Sequence, residues 1–291
     1  MPNGAQHPQA NPLPQAGEPG RLLLGDNLEI LRRLPDEVVD LVYLDPPFGA
    51  GGTRRLDVIR TGQGTGRRRG FGGREYRFQV VSRQGFPDGR DPDQQVEFLR
   101  PRLEEVRRVL RPTGSLYLHL DFHLSAHARL LLDQVFGRDR FLNEIIWAYD
   151  YGGRARDRWP RKHDNILWYA KSDRWTFNRD EIERIPYMSP SLVGADKARR
   201  GKLPTDTWWL TVVPTAGKER CGYPTQKPLA LLERIIRASS NSGELVADFF
   251  CGSGTTGVAA QRLGRRYLLV DESPVALAIA QRRLASELSR G

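Results

Sequence analysis

The chain has 291 residues, of which 39% are hydrophobic and 27% charged, and this is enough to bury the core of one large α/β domain. No apolar run approaches the ~18 residues of a transmembrane helix, and the N-terminus lacks the pattern of a secretory signal. Two cysteines are too few for a disulfide scaffold or a cysteine-rich zinc site, so we expect a cytoplasmic protein without membrane contact.

The N-terminal half predicts a tail, a loop and alternating elements. Residues 1–20 contain almost no large apolar residues and predict a disordered tail. Residues 49–78 are rich in glycine and arginine without a clear period, which predicts a mobile basic loop. Apolar spacing predicts two helices capped by Asn27 and Asp93. In chain order the elements are a strand at 21–26, a helix at 27–34, a strand at 38–45, a helix at 93–110, a strand at 115–121 and a helix at 124–136.

The C-terminal half returns to the same alternation after an irregular stretch at 173–222. Two apolar runs before that stretch predict a pair of strands that can form a hairpin. The predicted elements are strands at 141–150 and 165–172, a helix at 227–240, a strand at 245–250, a helix ending at 263, a strand at 266–272 and a helix at 274–288. Strands that alternate with helices predict an α/β fold with a mostly parallel sheet and an antiparallel hairpin.

A glycine-rich turn follows the predicted strand at 245–250. Residues 252–257 read Gly-Ser-Gly-Thr-Thr-Gly, and Asp271 ends the next strand. Glycines let a ligand approach the backbone, the following helix offers free N–H groups, and an acid at the next strand end can bind ribose hydroxyls. The motif with this context predicts a nucleotide-type cofactor.

The position of the turn argues against a nicotinamide dinucleotide. A dinucleotide-binding domain continues through several more strands, but only twenty residues follow Asp271. Earlier strands must complete the sheet, which predicts a circularly permuted order. Asp248 before the glycines would repel a pyrophosphate and attract an ammonium group, which favours S-adenosylmethionine.

The segment Asp45-Pro46-Pro47-Phe48 follows another predicted strand. The Asp45 carboxylate and the Pro46 carbonyl are two acceptors on a loop stiffened by two prolines. Two acceptors can orient one amino group, and Phe48 offers a face for a planar base. The segment can instead be only a rigid turn, but beside the glycine turn it predicts methylation of an amine.

Both motifs together resemble the amino-methylating DNA methyltransferases of the permuted (β) class, adenine-N6 type. The resemblance covers about 270 residues. It includes the segments GDNLEIL (25–31), RPTGSLYLHLD (111–121), NEIIW (143–147) and GYPTQKPLALLERII (222–236). It implies a Rossmann-like methyltransferase fold that uses S-adenosylmethionine. One departure is that Phe249 stands where the family usually has proline, which implies a slightly less rigid strand end.

The resemblance also implies roles for individual residues. The target amine would be bound and activated by Asp45, Pro46 and Phe48, with Pro47 stiffening the turn. The methionyl end of the cofactor would be surrounded by Asp248, Phe250, Gly252, Ser253, Gly254 and Thr255. Asp271 would hold the ribose and Asp26 would lie near the adenine, with Gln226 and Lys227 beside the cofactor.

The positive charge is concentrated in two segments. The net charge is +10, and only six of the 45 basic residues are lysines. Residues 49–79 hold eight arginines and two acids, and residues 150–222 hold fifteen basic and ten acidic residues. The remainder is close to neutral. Solvated loops would explain this pattern, but a polyanion surface explains it better.

In the resembled family these segments contact duplex DNA. The organisation implied is a tail at 1–20, a catalytic half at 21–172, a target-recognition insert at 173–222 and a cofactor-binding half at 223–291. A DNA-facing hairpin would lie at 150–164. A cognate restriction endonuclease, a homodimer and association with the nucleoid also fit the family.

Several alternatives stay open at this point. Aspartate at the first motif position favours adenine N6 over cytosine N4, where serine is more usual. Cytosine C5 chemistry needs a thiol, usually after proline, and neither Cys221 nor Cys251 follows one. A catalytically inactive DNA-binding module, a dehydrogenase, and a methyltransferase for RNA or protein amides are the other candidates. No metal site is predicted, because His119 falls in a strand and not on a helix with His123 and His127.

Overall fold

A computed structural model describes residues 11–47, 53–69, 75–87, 91–151, 155–214 and 217–288. The strands are β1 (Gly20–Leu24), β2 (Val39–Leu44), β3 (Thr53–Arg69), β4 (Glu75–Pro87), β5 (Leu110–Leu120), β6 (Phe141–Ala148), β7 (His163–Ala170), β8 (Thr207–Trp209), β9 (Leu245–Asp248) and β10 (Arg266–Asp271). The helices are α1 (Asn27–Arg32), α2 (Pro92–Val109), α3 (Ser125–Phe136), α4 (Ala195–Arg200), α5 (Leu229–Ser239), α6 (Thr255–Arg262) and α7 (Pro274–Leu288).

Eight strands form one sheet in the order β1-β10-β9-β2-β5-β7-β6-β8. Neighbours pair in parallel, except that β7 is antiparallel to both β5 and β6. The predicted α/β fold with a mostly parallel sheet and an antiparallel hairpin is therefore confirmed. The carboxyl ends of β1, β10, β9, β2, β5 and β6 meet at one edge of the sheet, where ligand sites of α/β folds lie.

Helices cover both faces of the sheet and bury two apolar clusters. Alternation along β2 directs Val42 and Leu44 to the face packed by α1, α2 and α3. Leu41 and Tyr43 point to the opposite face, against α5, α6 and α7. This two-sided burial explains why the central strands read as nearly continuous apolar runs. None of the described helices combines the length and apolar character needed to cross a bilayer.

The capping residues of two helices differ by one or two positions from the prediction. Asp26, not Asn27, caps α1, because its Oδ1 accepts from the backbone N–H groups of Leu28 and Glu29. Asp91, not Asp93, caps α2 and forms a reciprocal capping box with Gln94. In both cases a second cap-forming side chain stood nearby in the sequence, and the backbone turn selected between them.

The disordered tail predicted at 1–20 is wrong for residues 11–20. Arg21 donates to the carbonyls of Asn11 and Leu13, Arg266 donates to Pro14 O at 2.7 Å, and residue 20 already belongs to β1. These are backbone contacts that composition does not reveal. Residues 1–10 lie outside the described part of the chain.

The prediction of a loop at 49–78 is also wrong for the residues of this segment that the structure describes, because they form strands. β3 and β4 pair antiparallel as a separate two-stranded ribbon. The glycine- and arginine-rich composition of this segment is typical of loops and does not reveal the pairing between the two strands. By contrast, 173–222 is largely irregular as expected, containing only α4, β8 and a short 3₁₀ turn at Pro190–Leu192 among its described residues.

Candidate active site

A pocket of about 460 Å³ opens at the carboxyl edge of the sheet. It lies where the strand ends carrying the two sequence motifs come together, those of β2 and β9. Eleven of the fourteen predicted site residues line it: Asp26, Asp45, Pro46, Pro47, Lys227, Asp248, Phe250, Gly252, Ser253, Thr255 and Asp271. The fold therefore brings together residues separated by more than 200 positions in the chain.

Three predicted residues do not line this pocket in the described structure. Phe48 lies outside the described residues. Gln226 is turned inward, where its side chain donates to Glu219 O at 2.7 Å and accepts from the Cys221 backbone at 2.9 Å. Gly254 has φ +74°, and a Cβ there would lie 2.6 Å from Ala280 Cβ. Gln226 and Gly254 thus support the pocket through contacts that lie outside its lining.

Asp45 has one engaged and one unengaged carboxylate oxygen. Lys227 Nζ donates to Asp45 Oδ2, and the Lys227 carbonyl accepts from Thr255 Oγ1 at 3.2 Å. Asp45 Oδ1 is buried and has no hydrogen-bond partner among the described residues. Gln95 on α2 donates to the Pro47 carbonyl at 2.6 Å and anchors the turn. An unsatisfied buried acceptor is unusual, because it forgoes hydrogen bonds to water.

Asp248 lies at the end of β9 and is almost fully buried, with 2% exposure. Its Oδ2 accepts from Thr256 Oγ1 at 2.5 Å, and its Oδ1 accepts from the Phe250 backbone at 3.0 Å. Burial raises the pKa of Asp248 to about 7 despite these two donors, with a smaller contribution from the charge of Asp45. Bringing a cation against this carboxylate would relieve that penalty.

Asp271 holds the glycine turn in place. Its two carboxylate oxygens accept from the backbone N–H groups of Gly252 at 2.8 Å and Ser273 at 2.9 Å. Gly252 has φ +49°, in the left-handed region that glycine tolerates best. Burial raises the pKa of Asp271 above its usual value. The carboxylate therefore both shapes the turn and faces the pocket.

Asp26 is joined to α2 by an ion pair that the sequence did not reveal. Arg102 donates to Asp26 Oδ2 at 3.1 Å and to Asn27 Oδ1 at 2.6 Å, and Asn27 in turn donates to Phe249 O at 2.9 Å. Arg102 and Phe98 both line the pocket. An arginine within the apolar stripe of α2, beside Leu99 and Leu103, is the only sequence signal for this contact.

Tyr43 is a second residue that sequence reasoning missed. It is buried, lines the pocket, and hydrogen-bonds His119. Its signal was available, because Tyr43 precedes Asp45 by two residues and alternation along β2 places both on one face. His119 is thus engaged in the core, while His123 pairs with Asp121 at 2.8 Å. Within the described ranges no group of three or more His, Cys, Asp or Glu side chains is arranged to hold a metal.

Comparison with known proteins gives concordant results. A family model described as DNA methylase, of N6 and N4 type, matches residues 39–282. The chain is 31% identical to the type II methyltransferase M.HpaI of Haemophilus parainfluenzae, over 92% of this chain and 75% of that protein. It is 29% identical to the DNA adenine methyltransferase YhdJ of Escherichia coli (strain K12), over 90% of this chain and 82% of that protein.

Solved structures share the fold at lower identity. The cytosine-N4-specific PvuII DNA methyltransferase matches with a TM-score of 0.63 and 16% identity, over 93% of this chain and 92% of that one. A complex of M1.HpyAVI with S-adenosylmethionine matches with a TM-score of 0.56 and 19% identity, over 91% of this chain and 99% of that one. The fold is therefore the α/β methyltransferase fold, and by the extent of the family match this chain belongs to the DNA methylase family of N6 and N4 type.

Proposed function

We propose that the protein transfers a methyl group from S-adenosylmethionine to the N6 amino group of adenine in duplex DNA. The observation that carries the proposal is the unengaged Asp45 Oδ1, which lies in the same pocket as the glycine turn. The order of these motifs, with Asp-Pro-Pro-Phe before the glycines, further supports assignment to the permuted class.

The pocket fits the cofactor by its acceptors. Asp248 is a buried carboxylate whose raised pKa would be relieved by an ammonium group, Asp271 can accept from ribose hydroxyls, and Asp26 lies beside them. Among the described residues the lining has no cluster of free cations to hold a pyrophosphate, because Arg102 is paired with Asp26. When bound, S-adenosylmethionine supplies an electrophilic methyl group.

The protein's own residues prepare the amine. Lys227 holds Asp45 Oδ2, so that the carboxylate presents Oδ1 to one N–H of the target. The Pro46 carbonyl, on the rigid turn, is the second acceptor. Two such hydrogen bonds orient the amine and leave the nitrogen lone pair directed away from them. Formation of the new N–C bond would be matched by loss of the methyl–sulfur bond, which leaves the nitrogen cationic. The nitrogen then loses one proton, for which the Asp45 carboxylate is the adjacent base.

The basic segments are proposed to bind DNA at the same edge. The connection 155–162 between β6 and β7 carries three arginines and a lysine against one acid, and its described residues are mostly exposed. The arginine-rich strands β3 and β4 directly follow the Asp-Pro-Pro-Phe turn. Flipping a base from the duplex costs a few kcal/mol, which phosphate contacts can offset. The division into a catalytic half, a recognition insert at 173–222 and a cofactor half belongs to the same proposal.

Adenine is favoured over cytosine by the aspartate of the first motif position and by the name of YhdJ. Cytosine N4 is the second candidate, because the PvuII enzyme shares the fold at a TM-score of 0.63. The type II relatives also support a cognate restriction endonuclease as a partner. A homodimer, and association with the nucleoid through DNA, are further parts of the proposal.

The test is incubation with tritiated S-adenosylmethionine and duplex DNA, followed by digestion to nucleosides. We expect label in N6-methyladenosine. Label in cytosine alone, or in RNA alone, would contradict the adenine assignment.

Asp45→Ala is expected to abolish turnover, because it removes the acceptor for the amine, while cofactor affinity measured by calorimetry stays within about twofold. Asp40→Asn is the matched control, because Asp40 is a carboxylate on β2, the strand that Asp45 follows, but lies outside the pocket. It should retain turnover. Equal losses in the two variants would indicate a general effect on folding.

A further inference from the structure

A chain of hydrogen bonds leads from the pocket into the β5–β7–β6 part of the sheet. The Tyr43 hydroxyl lies 2.7 Å from His119 Nδ1, and His119 Nε2 lies 3.1 Å from Asp164 Oδ2. Tyr149 donates to the other oxygen of Asp164 at 3.0 Å. Tyr43 and His119 are buried, and the whole chain spans strands β2, β5 and β7 and the residue after β6.

The direction of these hydrogen bonds follows from charge. Burial and the positive charge of Lys227 lower the pKa of His119, so the imidazole is neutral and carries one N–H. Although burial opposes it, the hydrogen bond from His119, the positive charge of Lys227 and the hydrogen bond from Tyr149 hold the pKa of Asp164 below its usual value. An ionised carboxylate can only accept a hydrogen bond, so the single imidazole proton of His119 is on Nε2, which faces Asp164. Nδ1 is therefore unprotonated and acts as an acceptor.

Tyr43 must therefore be the donor in its bond with His119. Burial, reinforced by the charges of Asp45, Asp248 and Asp164, raises the pKa of Tyr43, so the hydroxyl keeps its proton. That proton is committed to Nδ1. What the hydroxyl can still offer a ligand in the pocket is lone pairs only.

Tyr43 lies beside the strand ends that carry both halves of the site. Tyr43 lies on β2, two residues before Asp45, and both residues line the pocket. Val42 pairs with Ala247 in the parallel register, so Tyr43 and Asp248 are neighbours across β2 and β9. Its ring meets the His119 ring edge-on at 6.0 Å, which inclines it towards β5, the side of the sheet that continues to the recognition segment.

We propose that Tyr43 is a further catalytic residue, whose hydroxyl oxygen accepts a hydrogen bond from the target amino group, and that His119 and Asp164 are positioning residues that fix this polarity. The inference rests on the proposed function. The amine has two N–H groups, so the Tyr43 oxygen would share one of them with Asp45 Oδ1 or the Pro46 carbonyl in a three-centre hydrogen bond. This further acceptor would bind the cationic nitrogen that forms during transfer more tightly than the neutral amine, which accelerates the reaction.

Tyr117 provides a matched control for a merely structural tyrosine. It is opposite Tyr43 in the β2–β5 register, is equally buried, and its hydroxyl lies 2.7 Å from Ser239 Oγ. It does not line the pocket. Tyr43→Phe and Tyr117→Phe thus each remove one buried, hydrogen-bonded hydroxyl group, from adjacent strands.

The first measurement is the single-turnover rate of methyl transfer, with cofactor and DNA affinities measured separately. Tyr43→Phe should lower the rate by about tenfold or more, as the loss of one hydrogen bond to a charged group implies. Its affinities should stay within about twofold, and Tyr117→Phe should keep the wild-type rate. Wild-type turnover with an unchanged rate in Tyr43→Phe would overturn the inference, whereas no transfer by the wild type would contradict the proposed function instead.

The second measurement uses Asp164→Asn, which is isosteric and lies away from the pocket. With Tyr149 still donating to the remaining oxygen, the new amide nitrogen faces His119 and donates to Nε2, so the proton moves to Nδ1 and Tyr43 becomes an acceptor from His119. Nitrogen-15 spectra of labelled histidine, assigned with His119→Asn, should show the proton on Nε2 in the wild type and on Nδ1 in the variant. This readout needs neither substrate nor turnover.

The rate in Asp164→Asn should fall about as far as in Tyr43→Phe, and the double variant should fall no further, because both changes remove the same acceptor. Independent, multiplicative losses would overturn the coupling. A wild-type spectrum with the proton on Nδ1 would overturn the assigned polarity. Should Tyr43→Phe fail to fold, Asp164→Asn and the spectra decide the question.

Discussion

At the scale of single residues, the pocket contains buried carboxylate acceptors that are incompletely hydrogen-bonded or poorly solvated. Asp45 keeps one buried oxygen without a partner among the described residues, and Asp248 is buried deeply enough that its pKa rises to about 7. Both arrangements reduce the stability of the folded protein. Both would be relieved by a ligand that brings donors, and a site built in this way binds donors selectively.

The raised pKa of Asp248 predicts that cofactor affinity depends on pH. The ionised carboxylate attracts the ammonium group, and it is only about one-tenth populated one unit below a pKa near 7. Affinity should therefore rise about tenfold from pH 6 to pH 8, and binding near pH 6 should release a proton. Calorimetry in buffers of different ionisation enthalpy measures both quantities.

Asp248→Asn should bind weakly with little dependence on pH over this range. Asp40→Asn is the control, because burial also raises the pKa of Asp40, which lies outside the pocket. It should bind the cofactor as the wild type does. A wild-type affinity that stayed flat between pH 6 and pH 8 would refute the role given to Asp248.

At the scale of elements, the glycine turn acts through its packing as much as through its openness. Both glycines have positive φ, but Gly252 faces the pocket near Tyr223, whereas Gly254 precedes α6 and lies against Ala280 of α7. The sequence motif assigns both glycines to the cofactor. The structure separates them into one that faces the pocket and one that allows two helices to approach.

Gly254→Ala should therefore destabilise the protein more than an ordinary substitution at a glycine with positive φ. The backbone conformation costs about 1 kcal/mol, and the overlap with Ala280 adds about 1–2 kcal/mol. Gly243→Ala is the control, because Gly243 has φ +81° but a Cβ added there would meet no atom within 4 Å. Urea unfolding should show a loss of about 2–3 kcal/mol for Gly254→Ala and about 1 kcal/mol for Gly243→Ala. Equal losses would exclude the contact with α7 as the cause.

At the scale of the whole molecule, the excess positive charge lies in two parts of the chain, and the pocket lies at one edge of the sheet. The body of the chain is close to neutral, and the excess of arginine lies in β3, β4 and the segment from 150 to 222. β3 follows directly on the Asp-Pro-Pro-Phe turn, and the β6–β7 connection leaves the sheet at the same edge. The DNA contact proposed for this edge depends on these two basic segments.

Replacing Arg67, Arg68 and Arg69 of β3 with glutamine should weaken DNA binding. It should also make the fall of log affinity with log salt concentration less steep, by up to about one unit of slope per lost phosphate contact. Cofactor affinity should not change. A control with three exposed arginines elsewhere, Arg32, Arg138 and Arg282, should bind DNA nearly as the wild type does. Equal effects of the two triple variants would show that net charge, and not its position, determines binding.

The sequence by itself determined the parts of this protein that depend on local pattern. The parallel α/β sheet, the order of most elements and eleven residues of the pocket lining could be predicted, because strand and helix periods and the two motifs are each contained in a short stretch. Its errors were also local. They occurred at the helix caps, where nearby residues compete, and in residues 11–20 and the β3–β4 ribbon, where composition does not reveal backbone contacts.

Only the tertiary structure decided which side chains meet. Lys227 is 182 residues from Asp45, Arg102 is 76 from Asp26, and Asp164 is 45 from His119. No spacing rule connects such pairs, because their distance depends on the order of strands in the sheet and on the tilt of the helices above it. The motifs name the chemistry of the pocket, and these long-range contacts determine which oxygen of Asp45 is free and which way the Tyr43 hydroxyl points.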